Sequence, residues 1–76
     1  MSQKLPVISA DELVKALGKF GYVVVRQKGS HMRLRHASEA GRKPVTVPRH
    51  KTIKRGLLKD ILRDARIYVE QLIEVL

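Results

Sequence analysis

The chain has 76 residues, no cysteine, and 16 lysines and arginines against 7 aspartates and glutamates, which gives a formal net charge of +9. This length predicts a single small domain over residues 1–76, and without cysteine neither disulfides nor thiolate metal sites can form. No segment approaches the roughly 18 apolar residues of a membrane span, and nothing near the N-terminus has the pattern of a signal peptide, so we expect a cytoplasmic protein.

The first predicted element is a helix that opens with Ser9 and has Glu12 three residues later. This is the pattern of a capping box, in which each side chain accepts the backbone N–H of the other residue. Ile8 and Leu13 flank the cap as a hydrophobic staple, and Gly21 is the residue type that commonly ends a helix. We therefore expect a helix between this cap and Gly21.

A β-hairpin is predicted next. Tyr22–Gln27 is rich in β-branched residues, and apolar and basic side chains alternate from His31 to Arg35. Alternate residues of a strand point to opposite faces, so the second strand should bury one set and expose the other. A two-residue turn at Lys28-Gly29 would pair Arg26 with His31. The expected core face comprises Val23, Val25, Met32 and Leu34, and the opposite face comprises Tyr22, Val24, Arg26, His31, Arg33 and Arg35.

Three further elements complete the predicted fold. Pro44–Pro48 has the pattern of a short strand bracketed by prolines, which suits the edge of a sheet. A helix should begin at about Ile53 or Lys54, and Ile67–Leu76 repeats the helical pattern as a continuation or as a separate helix. We expect an α+β fold of order α-β-β-β-α with an extra C-terminal helix, in which the helices pack on one face of a three-stranded antiparallel sheet.

The positive charge is clustered along the chain. Between Arg26 and Lys59 there are eleven lysines and arginines and one acid, Glu39. Such a field attracts phosphate backbones through counterion release, which favours a nucleic-acid partner. A solvated basic face without a partner is the alternative. An anionic membrane surface is less favoured, because the basic segments are predicted as strand and loop rather than as an amphipathic helix.

His31 is the candidate catalytic residue. Imidazole exchanges a proton near neutral pH, which is what cleavage of RNA through its own 2′-hydroxyl requires of a base or an acid. Arg26, Lys28 and Arg33 would then stabilise the extra negative charge on the phosphate. The alternative is a histidine that only forms hydrogen bonds in a turn or contacts a phosphate.

The other candidate RNA-binding residues are spread over two segments. Arg35 shares the predicted face of His31, and Ser30 is placed to orient that imidazole or to touch phosphate. The second segment, with Lys51, Lys54 and Arg55, flanks a helix N-terminus whose free N–H groups favour anions. A solvated helix face explains this second group equally well.

Two more histidines carry weaker signals. His36 follows the parity of the apolar strand residues and is expected at the edge of the core. His50 lies in the basic connector, either as a second acid or base or as a simple loop residue. No metal or other cofactor is expected, since His31 and His36 should face opposite ways and the sequence has no acidic cluster to bind magnesium.

Several fragments occur in an order and spacing that resemble one family. They are the capped opening helix, Gly29-Ser30-His31 before the second strand, Val47-Pro48-Arg49-His50 after the third, and Lys54–Leu62 in the next helix. Over nearly its whole length the chain resembles HicA, the toxin of HicA–HicB toxin–antitoxin pairs. The resemblance implies a fold similar to a double-stranded-RNA-binding domain, metal-independent cleavage of mRNA that arrests translation, and neutralisation by a HicB antitoxin. The family's catalytic histidine corresponds to His31.

One position departs from the family pattern: Arg66 stands where the family commonly has a helix-ending glycine. Two functions from different classes remain open. The preferred one is an mRNA-cleaving toxin that uses His31 for proton transfer. The other is a double-stranded-RNA-binding module without enzymatic activity, in which the segment around His31 contacts a groove of the duplex.

Overall fold

The computed structural model describes residues 4–76. The elements run in the predicted order, from helix through three strands to two helices. Their bounds are α1 (Ala10–Lys19), β1 (Tyr22–Lys28), β2 (His31–His36), β3 (Val45–Pro48), α2 (Arg55–Ala65) and α3 (Val69–Val75). The strands form one antiparallel sheet of order β1-β2-β3. The predicted α+β fold with an extra C-terminal helix is therefore confirmed.

Helix α1 begins with the predicted capping box. The Ser9 hydroxyl accepts the Glu12 N–H at 3.1 Å, and a carboxylate oxygen of Glu12 accepts the Ser9 N–H at 2.9 Å. The hydrogen bond from the Ser9 backbone N–H, followed by the nearby Ser9 hydroxyl, lowers the pKa of the Glu12 carboxyl, because it favours the ionised form. Ile8 and Leu13, the predicted staple, are both buried. Gly21 follows the helix with φ +96°, so its lack of a Cβ allows the chain to turn into β1.

The hairpin register differs from the predicted one. The turn is Gly29-Ser30, and Lys28 pairs with His31, so the predicted turn at Lys28-Gly29 and the pairing of Arg26 with His31 are wrong. Gly29 has φ +58° at the first central position of the turn. Glycine adopts this conformation without the penalty that a Cβ would bring. The turn therefore forms where glycine stands first, one residue later than predicted.

The buried residue of β1 is also different from the prediction. Tyr22 is buried, whereas Val23 and Val25 are exposed. The Tyr22 ring packs edge-on against His36, with 5.3 Å between centroids, and its hydroxyl donates to the Lys43 carbonyl at 2.9 Å. Burial raises the pKa of the Tyr22 hydroxyl. Because its one polar group has a partner, the large ring can fill the core and the smaller valines are left outside.

His36 holds the end of the hairpin against α1. Its Nδ1 accepts the N–H groups of Ser38 and Glu39 at 3.3 and 3.0 Å. With Nδ1 accepting, Nε2 carries the hydrogen and donates to the Phe20 carbonyl at 2.8 Å. The predicted position of His36 at the edge of the core is confirmed.

The core lies between one face of the sheet and the helices. Helix α1 contacts β1, β3 and α3, and α2 contacts β3. The largest fully buried side chains are Tyr22, Leu13, Leu17, Leu34, Leu58, Leu72 and Val47. Among the described residues, no helix has the length and apolar character that crossing a membrane requires.

The C-terminal segment forms a separate helix. Arg66 has φ 58° and ψ 45°, a left-handed conformation that ends α2. The Ile67 N–H then donates to the Leu62 carbonyl at 2.9 Å, and α3 begins at Val69. Helix α2 therefore ends at the position where the family pattern has glycine, although this chain has Arg66 there.

Two glycines of the α1 segment should respond in opposite ways to alanine. A Cβ on Gly21 would lie 2.5 Å from His36 Nε2, whereas a Cβ on Gly18 would meet nothing within 4 Å. We expect Gly21→Ala to lower the free energy of unfolding by about 2 kcal/mol or more, through backbone strain and displacement of the ring. Gly18→Ala, within the helix, should raise it by about 0.5–1 kcal/mol. Urea denaturation measures both, and equal effects would contradict the packing of His36 against Gly21.

Arg66 should be replaceable by glycine with a gain in stability. A left-handed conformation costs a residue with a Cβ about 1–2 kcal/mol, so Arg66→Gly should raise the free energy of unfolding by about 1 kcal/mol. Arg63→Gly, inside α2, is the matched control and should lower it by a similar amount. Thermal unfolding of both variants checks this. Destabilisation by Arg66→Gly would be inconsistent with strain at this position.

Candidate nucleic-acid interface

Strand β2 separates the core from a basic surface. Met32 and Leu34 are buried, while His31, Arg33 and Arg35 are exposed between them. Since β2 is the central strand, its two neighbours hold both of its edges and its side chains must alternate between the two faces. The predicted exposure of His31 on the face that the helices leave open is therefore confirmed.

A bulge in β1 brings two further cations to this face. The register shifts just before Arg26, where Val25 is an extra residue. Beyond the bulge Arg26 lies opposite Arg33, and Lys28 lies opposite His31. Partners across a sheet share a face, so these cations lie beside the imidazole. If Val25 were instead paired as a regular strand residue, strict alternation would turn Arg26 and Lys28 towards the other face of the sheet.

These residues surround one surface cavity of about 520 Å³, which we call the basic cavity. It is lined by Val25, Arg26, Lys28, His31, Arg33, Arg35 and Thr46. Four of the seven are cations, one is an imidazole, and no carboxylate is among them. Such a lining suits a phosphate of a polyanion. A guanidinium group can donate two parallel hydrogen bonds to two phosphate oxygens, and no carboxylate is present to repel the phosphate.

Thr46 orients one of these cations. Thr46 is on β3, opposite Arg33 of β2. Its hydroxyl oxygen accepts a hydrogen bond from Nη1 of Arg33 at 2.8 Å. One end of the guanidinium is thereby held while its other N–H groups remain available. Thr46 was not predicted as part of the site, and nothing in the local sequence indicated it, because its role depends on the pairing of β2 with β3.

The turn before His31 is anchored to the end of β3. His31 lies opposite Pro48, and the Arg49 N–H donates to the Ser30 carbonyl at 2.6 Å. The Arg49 side chain is exposed, with Nε 3.9 Å from a carboxylate oxygen of Asp11. This tie places Arg49 next to the turn that carries Ser30. Arg49 was not singled out from the sequence except within the Val47-Pro48-Arg49-His50 fragment.

The remaining candidate residues lie outside the lining of the basic cavity. His50 is exposed, and its backbone is held by the Ala10 N–H, which donates to its carbonyl at 3.0 Å. Lys51, Lys54 and Arg55 are exposed along the connector and the first residues of α2. The structure therefore brings together His31, Arg26, Lys28, Arg33 and Arg35, and it leaves the second basic group as a separate patch.

No cluster of three or more histidine, cysteine, aspartate or glutamate side chains that could hold a metal ion occurs within residues 4–76. His31 and His36 lie on opposite sides of the sheet, and both ring nitrogens of His36 have backbone partners.

Comparison with models of known protein families gives a match. A family model described as the HicA toxin of bacterial toxin–antitoxin matches residues 10–67, from the first residue of α1 to the segment after α2. Searches of curated proteins and of solved structures each return no match.

The contact between Thr46 and Arg33 should matter for binding more than for folding. Thr46→Val keeps the shape of the side chain but removes the acceptor, so the affinity for a single-stranded RNA oligonucleotide should fall about threefold, as expected for one modest hydrogen bond. Thr52→Val, at an exposed threonine outside the basic cavity, is the matched control and should leave the affinity unchanged. Fluorescence anisotropy at fixed salt measures both variants. An equal loss in the two would contradict a specific role for Thr46.

Proposed function

Because the chain belongs to the HicA toxin family of bacterial toxin–antitoxin systems, we propose that it is an endoribonuclease that cleaves mRNA in the cytoplasm and so arrests translation. A single observation carries this proposal: an exposed imidazole, His31, stands in a cavity with four cations and no carboxylate. Proton transfer and phosphate binding, the two functions that RNA cleavage needs, are thereby available at one place.

Cleavage through the 2′-hydroxyl needs no metal ion. A base removes the proton of the 2′-OH, and the resulting oxyanion attacks the adjacent phosphorus. The bond from phosphorus to the 5′-oxygen of the next nucleotide breaks, and that oxygen takes up a proton. The products are a 2′,3′-cyclic phosphate and a free 5′-hydroxyl. We assign His31 to one of the two proton transfers, since imidazole can act as base or acid near neutral pH.

The cations have two assigned roles. Arg26, Lys28, Arg33 and Arg35 bind the scissile phosphate and stabilise the extra negative charge as the 2′-oxygen adds. The second basic patch, with Lys51, Lys54 and Arg55, binds the RNA backbone farther along. His50 is the candidate for the second proton transfer, and Ser30 is a further candidate contact to RNA.

The same geometry supports a proposal for how the protein is neutralised. The antitoxin of a HicA toxin is a HicB protein, and the positive charge of the basic cavity favours an inhibitor with acidic side chains. We propose that HicB covers His31 and excludes RNA from this cavity. An antitoxin-bound structure in which the His31 ring stays open to solvent would contradict this.

One observation favours a second candidate function, which is RNA binding without cleavage. Among the residues lining the basic cavity, His31 is the only imidazole, whereas the reaction requires both a base and an acid. Under this alternative the protein binds RNA in a salt-dependent manner and leaves its length unchanged.

His31→Ala should separate these functions. We expect the cleavage rate to fall about 10²–10⁴-fold, the usual contribution of a general acid or base. The affinity for RNA should change little, because the four cations of the cavity remain. Circular dichroism should show an unchanged fold, since the side chain is exposed. The substrate is a short labelled RNA in EDTA, and the products are resolved on a denaturing gel.

The substrate provides the matched control. An oligonucleotide of the same sequence with 2′-deoxyribose throughout should bind and stay intact, because it lacks the attacking hydroxyl. Cleavage by His31→Ala at the wild-type rate would refute the assignment of this residue. If the wild-type protein binds RNA but never shortens it, the binding-only function is correct.

A further inference from the structure

Strand β1 has an unusual outer edge. It is bound to β2 on one side, and within residues 4–76 no strand lies on its other side. Three consecutive valines on this edge strand are each about half exposed: Val23 by 47%, Val24 by 44% and Val25 by 51%. β-Branched residues on an open edge favour pairing with another strand, so proteins commonly protect such edges with charge, proline or a covering element.

The opposite edge of the sheet is protected in these ways. Strand β3 has only the four residues Val45–Pro48, ends in a proline, and is packed by α2. Three of its four residues are buried. Strand β1 is longer and has no proline, and its first four residues, Tyr22–Val25, carry no charge. The β1 side, over its uncharged first half, is therefore the edge of the sheet that is more open to extension.

We propose that the outer edge of β1 binds an extended, acidic segment of a protein partner, which adds to the sheet as a fourth strand. Backbone hydrogen bonds to the free edge provide the affinity, as in other cases of strand addition. The exposed valines pack beside apolar residues of the added strand as cross-strand pairs. The cations Arg26 and Lys28, towards the end of β1, favour acidic side chains on the added strand.

Two other occupants, a second copy of this chain and RNA, fit this edge less well. A second copy of this chain would bring a net charge of +9 against another +9, with no acid on β1 to offset it. RNA could bind the cations of β1, but it would make no favourable contact with the three valines or with the backbone of the strand edge. An acidic peptide segment can pack apolar side chains on the valines, form hydrogen bonds with the backbone, and pair its carboxylates with the cations.

The position of β1 links this edge to the basic cavity. Val25 and Arg26 belong to β1 and also line the cavity. A fourth strand on β1 therefore lies at the rim of the cavity and can direct further acidic residues of the partner towards His31. Membership of the family implies a cognate antitoxin, and this protein is the candidate partner for the edge of β1. The inference itself does not depend on RNA cleavage and survives if the protein proves not to be a nuclease.

The test uses two peptides as probes against the full ¹⁵N-labelled chain. The first is a capped peptide of alternating glutamate and valine, as long as β1. The second has the same sequence with every backbone nitrogen methylated, which preserves charge and side chains but removes the N–H donors from both edges and so prevents pairing as a strand. We expect the first peptide alone to shift the amide resonances of Tyr22–Lys28 and to slow their hydrogen exchange.

A pair of matched variants tests the valines. Val24→Thr keeps the β-branched shape but removes an apolar contact, and should weaken binding of the first peptide about threefold. Val7→Thr, at a valine that is 83% exposed and outside the sheet, should leave binding unchanged.

Three results would overturn the proposal. Equal binding of both peptides would show that charge alone attracts them, and absence of binding would show that the edge is closed. Dimerisation of the free chain in sedimentation, abolished by Val24→Thr, would assign the edge to a second copy. Because the readout is amide protection in β1, none of these results affects the cleavage experiment on His31.

Discussion

The constraint on which this molecule depends is the alternation of side chains along its central strand. Met32 and Leu34 are buried, and burying two such side chains stabilises the fold by about 1.5–3 kcal/mol each. Rotating β2 to expose them would bury Arg33 and Arg35 without partners, which costs far more. The same packing that forms the core therefore forces His31 and its neighbouring cations to face solvent.

The two ends of the hairpin are held by different contacts. At the end with His36, the ring accepts and donates backbone hydrogen bonds and packs against Gly21, which needs its positive φ there. At the end with His31, the turn is tied to β3 through the Ser30 carbonyl. The catalytic candidate therefore stands on a strand whose neighbours are fixed on both sides, as a precise site requires.

The distribution of charge separates the surfaces of this small protein. The basic cavity carries cations without carboxylates, and the adjoining edge of β1 adds an apolar strip with a free backbone. Under the two proposals made above, RNA and an acidic protein segment would bind at neighbouring places. If both proposals hold, a partner bound at the edge of β1 would reach the basic cavity without replacing each phosphate contact in turn.

The amino-acid sequence by itself determined the order of elements, the cap at Ser9, the exposure of His31 and its grouping with Arg33 and Arg35, because these follow from short-range periodicity and residue chemistry. Only the tertiary structure decided the rest. The bulge at Val25 and the burial of Tyr22 depend on cross-strand pairing and on a carbonyl from a distant loop. The partner of Arg33 is on another strand, and Arg66 ends a helix despite its Cβ. Local patterns contain no information on such long-range contacts, since they are chosen by the packing of the whole core.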